Sequence, residues 1–161
     1  MRPHRLGARG FTLVELMVTL TLVGLMALMA APLAELTVQR HREQDLRTAL
    51  RDIRGAIDRY KAAADQGLIE RRVGDSGYPP DLDVLVSGVA NPRAPDRARI
   101  YFLRSIPRDP FAPEGLQPNA ATWELRSYAS PPEAPAPGVD VFDIHTHAQG
   151  VGLNGVAYRD W

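Results

Sequence analysis

The chain has 161 residues, with 19 Lys and Arg against 19 Asp and Glu and no Cys. A net charge of zero leaves no overall field to draw it onto nucleic acid, so no nucleic-acid partner is expected. Without Cys no disulfide can staple the fold in any compartment, and the length suits one membrane segment plus one modest domain.

Residues Met1 to Gly10 carry Arg2, Arg5 and Arg9 and no acid, and lead directly into an apolar run. A basic head before such a run places the head in the cytoplasm. From Phe11 to Ala34 the only charged side chain is Glu15. A helix of that length, at about 1.5 Å per residue, covers the roughly 30 Å hydrocarbon core of a bilayer. A secretory signal peptide is the competing reading. The run exceeds the usual apolar core of about 7–15 residues, and no A-x-A triplet lies between Met26 and Ala34. Glu15 also sits near the start of the run, where a signal peptide gains nothing from a charge.

The stretch Gly10-Phe11-Thr12-Leu13-Val14-Glu15 resembles the prepilin signature of type IV pilins and pseudopilins. The resemblance implies that residues 1–10 are a leader, cut between Gly10 and Phe11 by a prepilin peptidase, and that Phe11 is then N-methylated. Glu15 falls at the fifth mature position, and Pro32 falls where the family places a helix-kinking proline; both are implied to serve assembly. A carboxylate in a transmembrane segment costs on the order of 2.5–3.5 kcal/mol at the centre and somewhat less near an end. Its own helix N-terminus offsets part of that cost. In the family the better partner is the N-terminal amine of a neighbouring subunit, exposed by cleavage; the alternative is a carboxylate snorkelling to the cytoplasmic interface. Removing three of the 19 basic side chains leaves 16 against 19 acids, a side-chain charge of −3.

Beyond the apolar run, Gln39 to Asp45 marks the exit from the bilayer. Leu46, Ala49, Leu50, Ile53, Ile57, Tyr60 and Ala64 then recur at three- and four-residue steps, with Arg47, Arg51, Asp52, Arg54, Asp58 and Arg59 between them. The pattern predicts an amphipathic helix that needs a sheet to cover it, with Gly67 as its stop. Twelve of the 14 prolines fall between Pro79 and Pro137, so this region should hold loops and brief elements. Tyr78 to Val86 reads as a short helix opened by Pro79 and Pro80, with Leu82, Leu85 and Val86 inward. Ile106-Pro107-Arg108-Asp109-Pro110-Phe111 resembles the segment that leads into the sheet of secretion pseudopilins. Trp123 to Ala129 and Val139 to His147 are the strand candidates, separated by the Ser130 to Gly138 loop. The expected fold is α+β and pilin-like, a long N-terminal helix packed on a small antiparallel sheet. Its divisions are a leader over 1–10, a transmembrane assembly helix over 11–36, and a periplasmic head over 37–161.

The C-terminal segment, with Gly150-Val-Gly-Leu-Asn-Gly and terminal Trp161, extends the resemblance to the major pseudopilin of type II secretion systems. That group often holds this loop with calcium. Here Gln149 stands near an expected aspartate, and Asp160 alone supplies a loop carboxylate, whereas calcium takes about six to eight oxygens. No cofactor is therefore expected, and packing of Val151, Leu153 and Val156 is expected to pin the loop, with Asn154-Gly155 as a turn.

Asp143, His145 and His147 alternate on one strand face and form a loose zinc pattern without a fourth ligand; a polar outer face, with Phe142 and Ile144 inward, accounts for them. Asp81 with Asp83, and Asp140 with Asp143, read as exposed turn and strand-edge acids. Ser76 has no histidine in a recognisable motif, so no catalysis is expected. Arg97 with Arg99 and the Arg71-Arg72 pair read as solvated faces or intersubunit ion pairs. The resemblance implies a single-pass inner-membrane subunit with its C-terminal head in the periplasm. It would form a homo-oligomeric filament with other pseudopilins on an inner-membrane assembly platform, driving protein export. A pilin or minor pilin of a type IV pilus is the second reading, against which the absence of Cys argues. A membrane-anchored periplasmic binding module is the third.

Overall fold

The structure, a computed structural model, describes residues 10–161 except for the side chains of residues 28–33. The leader ahead of Gly10 and the side chain of Pro32 lie outside the described residues. The chain divides into two compact units, Met1–Gln39 and Arg40–Trp161.

In the first unit, helix α1 (Leu13–Asp65) begins at a threonine cap. The Glu15 amide donates to Thr12 Oγ1 at 3.2 Å, half of the reciprocal cap that a T-x-x-E sequence encodes. Thr19 and Thr21 donate their hydroxyls to the Leu16 and Met17 carbonyls at 2.9 and 2.7 Å, so these polar groups are satisfied within the helix. Leu, Val and Met side chains from Leu13 to Met26 stand exposed all round the helix. Among the described residues no helix is long and apolar enough to cross a membrane. The expected span over 11–36 takes in residues 28–33, whose side chains are outside the description.

In the second unit the predicted stripe is the core. Leu46, Ala49, Leu50, Ile53, Ile57, Tyr60 and Ala64 are all buried, joined by Ala56 and Ala63. The helix stops where Gly67 takes φ +69°. The Gly67 amide donates to the Ala64 carbonyl and the Leu68 amide to the Ala63 carbonyl, the paired bonds of a Schellman cap. Against the stripe pack Ile69, Leu82, Leu85, Phe102, Ile106, Trp123, Val141 and Ile144.

The covering layer differs in detail from the sequence reading. The short helix α2 is Asp83–Ser87, starting after the two prolines, with Asp81 Oδ1 accepting the Val84 amide at 2.9 Å. Instead of one sheet there are two antiparallel pairs, β1 (Val89–Ala90) with β2 (Arg99–Ile100), and β3 (Trp123–Arg126) with β4 (Asp143–Thr146). In the second pair Trp123 faces Thr146 and Arg126 faces Asp143. Both strands are shorter than expected because one buried side chain breaks them together. Asp140, 7% exposed, accepts the hydroxyls of Ser76 and Ser127 and the Tyr128 amide, which turns the chain after Arg126 and delays β4 to Asp143. Val141 fills the core at that end, while Phe142 sits in an aromatic group with Tyr78 and Tyr128 and under the Arg126 guanidinium.

Burial pushes the Asp140 carboxyl up, but the Ser127, Ser76 and Tyr128 hydrogen bonds outweigh it and hold its pKa below the ordinary carboxylate value. A depressed folded pKa adds stability above the unfolded value, near 3.9, and that stability is lost as pH falls through the folded pKa. Asp140→Asn is therefore expected to lower stability at pH 7 by about 1–3 kcal/mol, with the gap closing below about pH 4. Denaturant melts of both proteins across pH check this; a gap that does not vary with pH would remove the carboxylate's charge from the account.

Candidate functional site

The candidate functional residues lie near the chain's start, and the structure leaves Gly10, Phe11 and Glu15 presented outward. Gly10 and Glu15 are exposed, and Phe11 is 76% exposed. Thr12 fixes the helix start immediately before Glu15, so the carboxylate occupies the third position of the first turn, where a helix N-terminus favours negative charge. Among the described residues no Lys, Arg or His forms an ion pair with Glu15. Pro32 belongs to the same helix, and its side chain is outside the description.

At the other end of the chain the head closes in a way the sequence did not announce. Val151, Leu153 and Val156 are 57%, 43% and 42% exposed, so packing of these three does not pin the C-terminal loop. The loop is held by Glu43, a residue of α1 that is 5% exposed. One of its oxygens accepts the Leu153 amide at 2.9 Å and the Tyr158 hydroxyl at 3.0 Å. A turn further along α1, the Arg47 guanidinium lies over the Trp161 ring at 4.3 Å, and a Cβ at position 152 would strike that ring, which accounts for Gly152. An isolated bridge pairs Val151 with Ala157, and Phe111 packs on Tyr158. Glu43 could be found from sequence only as an acid at helical spacing with Leu46 and Leu50, on the stripe rather than off it.

A second buried acid organises the Ile106 to Phe111 segment. Asp109, 1% exposed, accepts the Thr146 hydroxyl at 2.6 Å and the Phe111 amide at 2.8 Å, while its own amide donates to Thr122 Oγ1 at 3.1 Å. The Trp123 indole N–H reaches the Pro107 carbonyl at 2.9 Å. Motif and β3–β4 pair are thus one bonded unit.

The remaining constellations resolve into structural contacts. Asp143 is half-buried and ion-paired with Arg54 at 2.7 Å, and Asp140 is buried, so the expectation of two exposed strand-edge acids fails for both. Ser76 donates to Asp140 rather than standing alone. His145 Nδ1 lies 3.1 Å from the Arg159 carbonyl and His147 Nδ1 lies 3.0 Å from Glu124 Oε1. Among the described residues no three His, Asp or Glu side chains gather as a ligand set. Arg99 donates to the Ser87 and Gly88 carbonyls, and Arg71 to Asp65 and the Asp75 carbonyl. Neither is a purely solvated face.

The family model described as the prokaryotic N-terminal methylation motif matches residues 5–31. A type II secretion system core protein G of Klebsiella pneumoniae is 30% identical over 107 residues, covering 64% of this chain and 69% of the relative. A protein of the same name from Klebsiella michiganensis is 27% identical over 112 residues, covering 67% of this chain and 71% of the relative. No solved structure matches the chain. With an exposed Gly-Phe ahead of a capped apolar helix, and 30% identity to the first of these relatives over 69% of its length, the chain belongs to the type II secretion system core protein G family of major pseudopilins.

Proposed function

We propose that this pseudopilin is made as a single-pass inner-membrane precursor with its head in the periplasm. A prepilin peptidase cuts it between Gly10 and Phe11 and methylates the Phe11 amine, and the mature chain polymerises with itself and with other pseudopilins on an inner-membrane assembly platform. The protein acts as a structural subunit, not an enzyme, and the filament drives protein export. The observation that carries this reading is the exposed, largely apolar surface from Phe11 to Met26, in which Glu15 is the only charged side chain and the Thr19 and Thr21 hydroxyls are satisfied within the helix. Such a surface needs lipid or other helices of its kind, and a lipid-immersed carboxylate needs a cation. The amine freed at Phe11 of a neighbouring copy is that cation, and Pro32 sets the helix bend that lets copies pack. A contact between unlike surfaces of identical subunits, offset along the helix axis so that it cannot close into a ring, builds a filament.

Mass spectrometry of the mature protein should find N-methyl-Phe11 as its first residue; a start near Ala31, or retention of Met1, would overturn the processing step. Glu15→Ala should still be cleaved but should lower filament yield roughly tenfold or more, the equivalent of losing about 1.4 kcal/mol from the growing end. Normal yield would leave Glu15 with its capping position only.

We further propose that the head needs no calcium. The C-terminal loop supplies Asp160 as its one acid, and that carboxylate lies 3.6 Å from Arg159, on the chain next to it. Glu43 holds the loop in place of an ion. Glu43→Ala should destabilise the full-length protein by about 2–4 kcal/mol, because the Leu153 amide and Tyr158 hydroxyl lose a charged acceptor. Millimolar calcium should leave the wild-type Tm within about 1 °C; a rise of 4 °C or more is what a filled site of about 1 kcal/mol or more gives in a domain of this size, and would restore the ion.

A further inference from the structure

The part of α1 in the head has three sides. One is the buried stripe from Leu46 to Ala64. At about 100° per residue, Arg40 and Arg47 fall within roughly 20° of each other on a second side, and Asp45 and Asp52 within roughly 20° on a third, the two sides about 140° apart. All four side chains are exposed. Among the described residues none of the four is in an ion pair, although the head forms ion pairs elsewhere, as at Arg54 with Asp143 and Lys61 with Asp65. Arg47 stacks one face of its guanidinium on Trp161, which leaves its N–H edges directed away from the ring. Beside it a groove of about 950 Å³ runs between α1 and the C-terminal loop, lined by Arg47, Arg51, Arg54, Val156, Trp161 and one acid, Asp160, which lies 3.6 Å from Arg159. Arg51 turns back onto its own helix, donating to the Arg47 carbonyl at 3.2 Å, and so keeps the groove basic without closing it.

We propose that this basic side and its groove receive the acidic side of α1 from a second copy of the chain. The inference rests on the filament reading above and adds the residues that set the lateral contact. Two features select a second copy. The chain carries both halves of a complementary pair and, among the described residues, puts neither half into an ion pair of its own, Arg47 using only a face of its guanidinium on Trp161. Their intervals also agree: Arg40 to Arg47 and Asp45 to Asp52 are each seven residues, two helical turns. For parallel helices a single stagger of five residues, about 7.5 Å, brings Arg40 to the partner copy's first aspartate and Arg47 to its second at once. A stagger of that kind cannot be satisfied mutually by two copies, so the contact propagates from copy to copy. The exposed Leu153 and Val156 beside the groove supply apolar cover, and their exposure in the single chain has that explanation.

The test uses full-length protein expressed with its processing and assembly machinery. Since the chain has no Cys, Arg47→Cys with Asp52→Cys in one chain gives an oxidation readout without background. The pair should produce a ladder of dimers, trimers and longer species, and each single variant should produce none. Arg47→Asp and Asp52→Arg should each lower filament yield by roughly tenfold, and the two together should restore at least half of it, since like charges across an interface cost kilocalories and the swap re-forms the pair. Melting of each variant monitors folding: Asp52→Arg should melt like wild type, while Arg47→Asp also loses its stacking on Trp161 and should melt a few degrees lower in the single and the double variant alike, so that recovery of filament yield in the double variant reports the charge pair and not the fold. Wild-type filaments with no ladder, or a double variant no better than the product of the singles, would overturn the interface and leave the filament reading standing. Absence of filaments from the wild-type chain itself would overturn the filament reading, and the interface with it.

Discussion

The head of this protein depends on buried carboxylates. It has no disulfide, its strands are two to four residues long, and most of its covering layer is loop. Loop amides and hydroxyls that leave solvent must find acceptors, because each one left unmet costs about 1–3 kcal/mol. A carboxylate accepts several bonds at once, each roughly twice as strong as a neutral one. Glu43, Asp109 and Asp140 do this at three joints, tying the C-terminal loop to α1, the Ile106 to Phe111 segment to β4, and the turn after β3 to the loop before α2. Removing any one strands donors in the interior, so the three acids perform the work that longer ladders or disulfides perform in other heads.

This arrangement suits a polymerising subunit. Because loops are fixed by acids rather than by wrapping around the helix, α1 is covered along one stripe only, and its other sides stay outward. Among the described residues, Arg40, Arg47, Asp45 and Asp52 on those sides are in no ion pair, and the Leu, Val and Met side chains from Leu13 to Met26 are exposed. On the function proposed above, the monomer is an intermediate whose apolar surface is met by lipid before assembly and by neighbouring copies after it.

The C-terminal segment is tied to the helix by an anion of the protein's own. Glu43 of α1 accepts from the Leu153 amide and the Tyr158 hydroxyl, and Arg47 one turn away lies over the terminal indole. On the calcium-free reading proposed above, this carboxylate with N–H and O–H groups around it takes the place of a divalent cation with oxygens around it.

Sequence alone determined the parts whose signal is local or periodic. The N-terminal methylation motif, the stripe from Leu46 to Ala64, the stop at Gly67 and the pairing of two strands near Trp123 and Ile144 are all written in adjacent or regularly spaced residues. The same information did not reveal that Glu43 and Asp140 are interior, that Val151, Leu153 and Val156 are outside, or that the sheet is two separate pairs. A charged residue is buried only when donors distant in sequence converge on it, as Tyr158 does on Glu43 across 115 positions. Two-residue strands carry no period to read, and an apolar side chain goes inward only if the backbone around it is already held. Those outcomes belonged to the tertiary structure, because hydrogen-bond satisfaction is settled by which groups meet and not by what each residue prefers alone.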